Sequence, residues 1–121
     1  MERLTTLKLL ITIEAMKRRK DKLPPVHPGE ALREEFMLPL SLSPAVVAKG
    51  LGVASITVNR LAQGRQPVTA EMALRLSRYL GTTPDFWIGL QGQYDLDVAQ
   101  DEAEDRIAKE VHRCPLVPVP A

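Results

Sequence analysis

Residues 43–64, SPAVVAKGLGVASITVNRLAQG, place small and apolar side chains at the spacing of two short helices joined by a tight turn. Ala48 supplies the small side chain that such helices need where they cross, and Gly52 supplies a turn residue that tolerates positive φ. Val58 and Leu61 lie three residues apart and therefore face the same side of the second helix. The pattern predicts a helix-turn-helix, whose usual role is to lay its second helix in the major groove of DNA.

Helix signals continue on both sides of this unit, and the one candidate strand is Leu7 to Ile13. The first predicted helix runs from Gly29 to a stop at Pro39, and the second runs from the cap Ser43-Pro44 to about Gly50–Gly52. The third runs from Ala54 to Gln63, with Gly64 as its left-handed C-cap, and the fourth runs from the cap Thr69 to Gly81. The fifth starts at Thr83-Pro84-Asp85 and carries Phe86, Trp87, Leu90 and Tyr94. A sixth, strongly acidic helix is predicted from Val98 to Val111, before a proline-rich end that cannot be helical. The predicted class is all-α.

Charge is distributed unevenly over the 121 residues, although the formal net charge is only +1. Residues 1–26 carry seven Lys and Arg against three acids, residues 27–81 carry six against four, and residues 82–121 carry three against eight. We therefore divide the chain into a basic N-terminal extension or linker (1–26), a helix-turn-helix DNA-binding domain (27–97), and an acidic helix with a proline-rich tail (98–121). Because the whole molecule is nearly neutral, its attraction to a polyanion must be local and modest.

Composition also limits the location of the protein and its class. Cys114 is the only cysteine, which excludes an internal disulfide and fits a reducing cytoplasm. The apolar run Leu4–Ile13 is too short to span a bilayer, and the basic cluster Lys17–Lys20 follows that run, whereas in a secretory signal it would precede it. We predict a cytoplasmic protein with no membrane partner.

The sequence does not support a small enzyme or a metalloprotein. It contains no nucleophile–base pair, no phosphate-cradling glycine loop and no metal-ligand cluster, so no cofactor is implied. His112 and Cys114 would need ligands from elsewhere to bind a metal, and His27 is the only other histidine.

Four segments resemble one known family: His27-Pro28-Gly29-Glu30, Leu51-Gly52-Val53, LRLSRYLG at 74–81 and TPDFWIGLQ at 83–91. Over about residues 24–99 they are similar to the HigA-type antitoxins, the VapI-like branch of the Cro/λ-repressor (XRE) helix-turn-helix proteins. The resemblance implies a five-helix λ-repressor-like bundle, here with an additional C-terminal helix, and a homodimer with contacts from the fifth helix and the segment after it. It also implies two further partners: a HigB-type mRNA-cutting toxin, and the operator DNA of their shared operon. A stand-alone regulator of the same family, without a toxin, is the alternative.

The resemblance also implies which residues contact DNA. The recognition helix would present Ser55, Ile56, Thr57, Asn59 and Arg60 to the groove. Ser43 stands where the superfamily places polar contacts to the DNA backbone, and Arg65 and Gln66 would reach phosphates. Arg60 is the best base reader, because a guanidinium pairs bidentately with a guanine edge.

Several alternatives stay open for these residues. Ser55 either contacts DNA or caps the helix in place of Ala54, which stands where Ser or Thr is usual. Ile56 either touches a thymine methyl or belongs to a protein contact, and Asn59 pairs with adenine only if its neighbours allow. For Arg60 the alternative is a solvated charge. Phe86 and Trp87 are expected in the core, where they seal the fifth helix on the bundle, and the dimer contacts of that helix are the alternative for them.

The N-terminal segment departs from the family. We expect residues 1–15 to be an upstream-start extension, with native translation at Met16, or a family-atypical helix. The basic residues Lys17 to Lys22 are a DNA arm, a toxin-binding segment or a solvated charge run. For the acidic stretch Asp95–Asp105 there are three alternatives. It contacts a basic toxin, it is a solvated face, or it repels the phosphates of non-cognate DNA from the dimer.

Overall fold

In a computed structural model, residues 24–119 of the chain are described, and within that range they form helices and loops with no strand. The helices are α1, Pro28–Ala31 continued by π-helical turns over Leu32–Met37; α2, Pro44–Leu51; α3, Ser55–Ala62; α4, Ala70–Leu80; and α5, Pro84–Glu110. The all-α class predicted from sequence is confirmed. The predictions for Leu7 to Ile13, for the start at Met16 and for residues 17–22 lie outside the described residues.

Three helices begin with a side-chain hydroxyl oxygen that accepts a backbone N–H three residues ahead: the predicted caps Ser43 and Thr69, and Thr83 at the predicted start of the last helix. These caps are Ser43 to Val46, Thr69 to Met72, and Thr83 to Phe86, each at 3.2 Å. Proline occupies the first helical position of α2 and of α5, where its missing N–H costs nothing. These starts are local in sequence, and for that reason they could be predicted.

The turn between α2 and α3 is closed by Gly52, which adopts φ 72°. Its N–H and that of Val53, at 3.0 Å, both donate to the carbonyl oxygen of Ala48. This left-handed ending is open to glycine without the steric cost that a Cβ would bring. The predicted turn is confirmed, and it sets α3 at a sharp angle to α2.

The core draws on every helix of the bundle. Its largest fully buried side chains are Trp87, Leu32, Leu61, Leu76, Val47, Val58 and Pro28. The Trp87 indole N–H donates to the Thr82 hydroxyl at 2.7 Å, which satisfies the one polar atom of a ring that is otherwise surrounded by apolar groups. Phe36 and Phe86 pack on Trp87 with ring centroids 5.8 Å and 4.9 Å away. The core interpretation of Trp87 is confirmed, while Phe86 is only half-buried.

The division between a fifth and a sixth helix was wrong, because Pro84–Glu110 is one uninterrupted helix of 27 residues. At 1.5 Å per residue it is about 40 Å long. No proline interrupts residues 85–110, and two side-chain hydrogen bonds bridge the expected gap: Gln91 to Asp95 and Gln93 to Asp97, both at 2.9 Å. The change to acidic composition near residue 98 marks where α5 leaves the bundle and becomes largely exposed. The division into regions at residues 97/98 remains a prediction.

Within residues 24–119, no single helix is long and apolar enough to cross a membrane. Only α2 and α3 taken together would pass by length and composition, and they are bent at 115° to each other. Residues 111–119, after α5, are exposed and non-helical, as predicted, with a turn in which Val117 N–H donates to Cys114 O at 3.2 Å.

Candidate DNA interface

α3 has one face in the core and one face in solvent. Val58 and Leu61 are fully buried, as predicted. On the opposite side Ile56 is 54% exposed, and Arg60 one turn later is exposed as well. The helical repeat continues this stripe to Gln63, an exposed residue that we did not single out from sequence. Its position seven residues after Ile56 was the signal that could have found it.

The remaining predicted residues of α3 lie beside this stripe. Ser55 is exposed at the first helical position, while Thr57 and Asn59 are half-buried on the two edges. Ala54 is the N-cap, and no side chain caps the helix. Ser55 therefore does not replace the missing cap, so the capping alternative was wrong. The free N–H groups of the first turn give this end of α3 a positive partial charge.

Ser43, Arg65 and Gln66 lie on the segments that flank the helix-turn-helix. The Ser43 oxygen already accepts the capping bond of α2, which leaves its hydroxyl hydrogen able to donate. Arg65 is exposed and Gln66 half-buried, and the loop starts with Arg65 N–H donating to Arg60 O at 2.9 Å. Among the described residues neither Arg60 nor Arg65 forms an ion pair, so both guanidinium groups face solvent without an internal carboxylate.

Two arginines from outside the helix-turn-helix hold the C-terminal ends of its helices. Arg75 of α4 donates to the carbonyl oxygen of Leu51, the last residue of α2, at 2.8 Å. Arg33 of α1 donates to the carbonyl oxygen of Ala62, the last residue of α3, at 3.2 Å. Each places a positive charge at the negative end of a helix and satisfies a terminal carbonyl. Sequence reasoning missed both, because their partners are 24 and 29 residues away.

The segment His27-Pro28-Gly29-Glu30 joins α1 to the end of α3. His27 Nδ1 accepts the Gly29 N–H at 2.9 Å and caps α1, and Pro28 starts the helix. Gly29 lies so close to α3 that a Cβ there would overlap the carbonyl oxygen of Leu61. The glycine is therefore required by the close packing of two backbones.

His27 is buried against α5, and this burial favours the neutral form of its ring. Its imidazole meets Tyr94 edge to face, with centroids 4.9 Å apart. Burial lowers the pKa of His27 below its usual 6.5, against smaller upward effects of Asp95 and Glu30. A neutral imidazole suits the cap, since Nδ1 must keep its lone pair to accept from Gly29.

The other candidate ligands are dispersed. His27 is committed to its cap, whereas His112 and Cys114 lie on the exposed segment after α5. Within residues 24–119, no three His, Cys, Asp or Glu side chains gather as a metal site.

Comparison with known proteins places this arrangement in a family. The model of the helix-turn-helix family matches residues 31–87. "Virulence-associated protein I" of Dichelobacter nodosus is 39% identical over 85 residues, which cover 70% of this chain and 79% of that protein. The solved structure of "antitoxin GraA" superposes with a TM-score of 0.74 at 48% identity, covering 76% of this chain and 99% of that one.

A second solved structure is the Pseudomonas aeruginosa antitoxin HigA with the higBA promoter. It superposes with a TM-score of 0.72 at 40% identity, covering 77% of this chain and 99% of that chain. The residues matched by the family model include α2, α3 and α4 with the loops between them. The chain belongs to the helix-turn-helix family of the HigA-type antitoxins.

Proposed function

We propose that this protein is a cytoplasmic antitoxin that neutralises a HigB-type mRNA-cutting toxin and represses its own operon by binding operator DNA as a dimer. The observation that carries the DNA-binding part is the outward stripe of α3. The apolar Ile56 and the unpaired guanidinium of Arg60 are exposed one turn apart, on a helix whose C-terminal end is held by Arg33 of α1. That arrangement suits a helix that reads base edges.

In this proposal the stripe of α3 reads bases. Arg60 pairs with a guanine, Ile56 touches a thymine methyl, and Gln63 is placed to pair with adenine. Ser55, Thr57 and Asn59 contact the edges of the groove. The solved structures of HigA with its promoter and of GraA in complex with its operator support this use of the fold.

Phosphate contacts then come from the two sides of the helix-turn-helix. Ser43 donates its hydroxyl hydrogen from the start of α2, and Arg65 with Gln66 approaches from the loop after α3. Such contacts fix the register of the protein on DNA without reading sequence.

The proposed dimer surface is the open face of α5, defined by Ile88, Gly89, Gly92 and Leu96. Ile88 and Leu96 are 42% and 49% exposed. A Cβ at either glycine would meet no atom within 4 Å. Glycine inside a helix costs roughly 0.5–1 kcal/mol relative to alanine, and close approach of a second copy would offset that cost. Two bundles joined in this way can read half-sites about 34 Å apart.

A matched pair of substitutions tests the dimer. Leu96→Glu places a charge on the open face, while Leu74→Glu makes the same change at an exposed leucine of α4. Sedimentation velocity should give a dimer for the wild type and for Leu74→Glu, and a monomer for Leu96→Glu. If Leu96→Glu still sediments as a dimer, the open face of α5 is not the dimer interface.

The toxin and operator parts are tested with the neighbouring gene. The chain is co-expressed with the adjacent short reading frame, the complex is purified, and the upstream promoter is footprinted. Co-purification with a product that is toxic alone, together with a protected promoter site, is expected. A protected site without any toxic partner would instead favour the stand-alone regulator.

A further inference from the structure

The loop between α3 and α4 carries Arg65 and Gln66, and it is fastened at both ends. At its start, Arg65 N–H donates to Arg60 O at 2.9 Å. At its other end, the buried N–H of Val68 donates to Oε1 of Gln91 at 2.7 Å. The first bond comes from α3 itself, whereas the second comes from α5, 23 residues further along the chain.

Gln91 is itself held in place on α5. Only 7% of the residue is exposed, and its Nε2 donates to Oδ1 of Asp95 one turn later, at 2.9 Å. This second bond orients the amide, since the nitrogen must face Asp95 and the oxygen must face Val68. Pro67, just before Val68, has no N–H to offer. The hydrogen bond from Val68 N–H to Gln91 therefore holds this end of the loop against α5.

A second contact supports the same loop from α5. The His27 ring lies between Tyr94 and the loop residue Gly64, where a Cβ would stand 3.5 Å from His27 Cγ. Gln91 and Tyr94 lie three residues apart and share the inward side of the helix. The open face at Gly89 and Gly92 is on the other side.

We propose that Gln91 is a positioning residue for operator binding: through Val68 it holds the loop so that Arg65 and Gln66 meet the DNA phosphates. This inference rests on the proposed operator binding. It gives α5 two roles on opposite sides, with the outward side open to a second copy and the inward side fixing the phosphate-contacting loop. The α3 stripe does not depend on this bond, so base reading is retained when the bond is lost.

The test compares Gln91→Met with Gln93→Met, the same change at a half-buried neighbour on α5 whose amide donates only within the helix, to Asp97. Binding is measured by fluorescence anisotropy on a labelled fragment of the DNA upstream of the gene, over a range of salt concentrations. Gln91→Met should bind the fragment about tenfold more weakly than the wild type does. The plot of the logarithm of the binding constant against log[salt] should be less steep by about one, as expected for one lost phosphate contact. Gln93→Met should match the wild type.

A reversed pair provides the rescue. In the double variant Gln91→Glu with Asp95→Asn, the glutamate still accepts from Val68, and the new amide donates back to the glutamate. Wild-type affinity and salt slope are expected. If Gln91→Met does not fold, Gln91→Asn makes the same test, because it keeps the amide but shortens its reach by one methylene.

Hydrogen exchange at the Val68 amide separates this inference from the proposed function. Protection should be high in the wild type and the rescue pair, and lost in Gln91→Met. A folded Gln91→Met with wild-type salt slope overturns the inference even if the wild type binds the fragment. A wild type that binds this fragment no better than unrelated DNA overturns the proposed operator binding, and the inference with it.

Discussion

Arg33, on α1, donates to the carbonyl oxygen of Ala62 at the last residue of α3, with Nη1 and O 3.2 Å apart. The bond connects the first helix of the bundle to the end of the helix with the candidate DNA-binding stripe. The same guanidinium lies 3.4 Å from Glu34. A single side chain thus satisfies a terminal carbonyl and places a positive charge at the negative end of α3.

Arg33→Ala should lower the free energy of unfolding by about 1 kcal/mol, the size of one helix-end bond to a partly exposed charge. Urea unfolding followed by circular dichroism measures it. Arg106→Ala is the control, since it removes an exposed ion pair to Glu110 that is worth under about 0.5 kcal/mol. Equal losses for the two variants would contradict a special role for Arg33.

Gly29→Ala should destabilise the fold by about 1–3 kcal/mol, because the added methyl group overlaps a backbone carbonyl of α3 that can move only if the helix moves. Thermal melting gives the change. Glu30→Ala, at the exposed neighbouring position, should cost clearly less. A Gly29→Ala protein with an unchanged melting temperature would show that the backbones of α1 and α3 are not in close contact.

Ala48→Leu should likewise cost about 1–3 kcal/mol through overpacking, because Ala48 is 2% exposed. Ala45→Leu adds the same volume to an exposed position of the same helix, and it should change the stability little. Chemical unfolding of both variants measures the difference. If Ala48→Leu unfolds like the wild type, the helix-turn-helix register is wrong.

Arg60→Ala should weaken binding to the promoter fragment by about 1–3 kcal/mol, as expected for one bidentate base contact, with helical content unchanged. Gel-shift titration at fixed salt is the measurement. Arg106→Ala, far along α5, is the matched control for loss of one positive charge. An Arg60→Ala protein with wild-type affinity would refute base reading by this residue.

His27 should make the stability depend on pH. Its pKa is lower in the folded state than the usual 6.5, so the unfolded chain binds the proton more tightly. The neutral His27 ring therefore makes its full contribution to the free energy of unfolding above pH 6.5, and this contribution is lost as the pH falls through the pKa of the folded state. Denaturant unfolding between neutral pH and about pH 5 should therefore show falling stability.

His27→Asn isolates this effect, because asparagine is a good N-cap that does not titrate in this range. The loss of stability between neutral pH and about pH 5 should be smaller than in the wild type. His112→Asn, at the exposed histidine after α5, should keep the wild-type pH dependence. If the stability of His27→Asn falls with pH as steeply as that of the wild type, groups other than His27 cause the pH dependence.

Helix starts and turns could be predicted because their chemistry is local. Ser43, Thr69 and Thr83 each accept a backbone N–H three residues ahead, and Gly52 and Gly81 take the positive φ that ends α2 and α4. The inward positions of α3 were predicted from helical spacing alone. Local patterns also led to the wrong prediction of a separate helix from Val98, because the composition becomes acidic there. No residue at that point breaks the helix, and α5 continues through it.

The sequence by itself therefore determined the all-α class, the helix-turn-helix and the buried positions of α3, since each depends on residues within one or two turns of each other. The tertiary structure alone decided which distant groups hold that unit. Arg33 meets Ala62, Arg75 meets Leu51 and Gln91 meets Val68 across 23 to 29 residues. No local pattern encodes these pairs, because they form only when packing brings a side chain to a backbone group that would otherwise lack a partner.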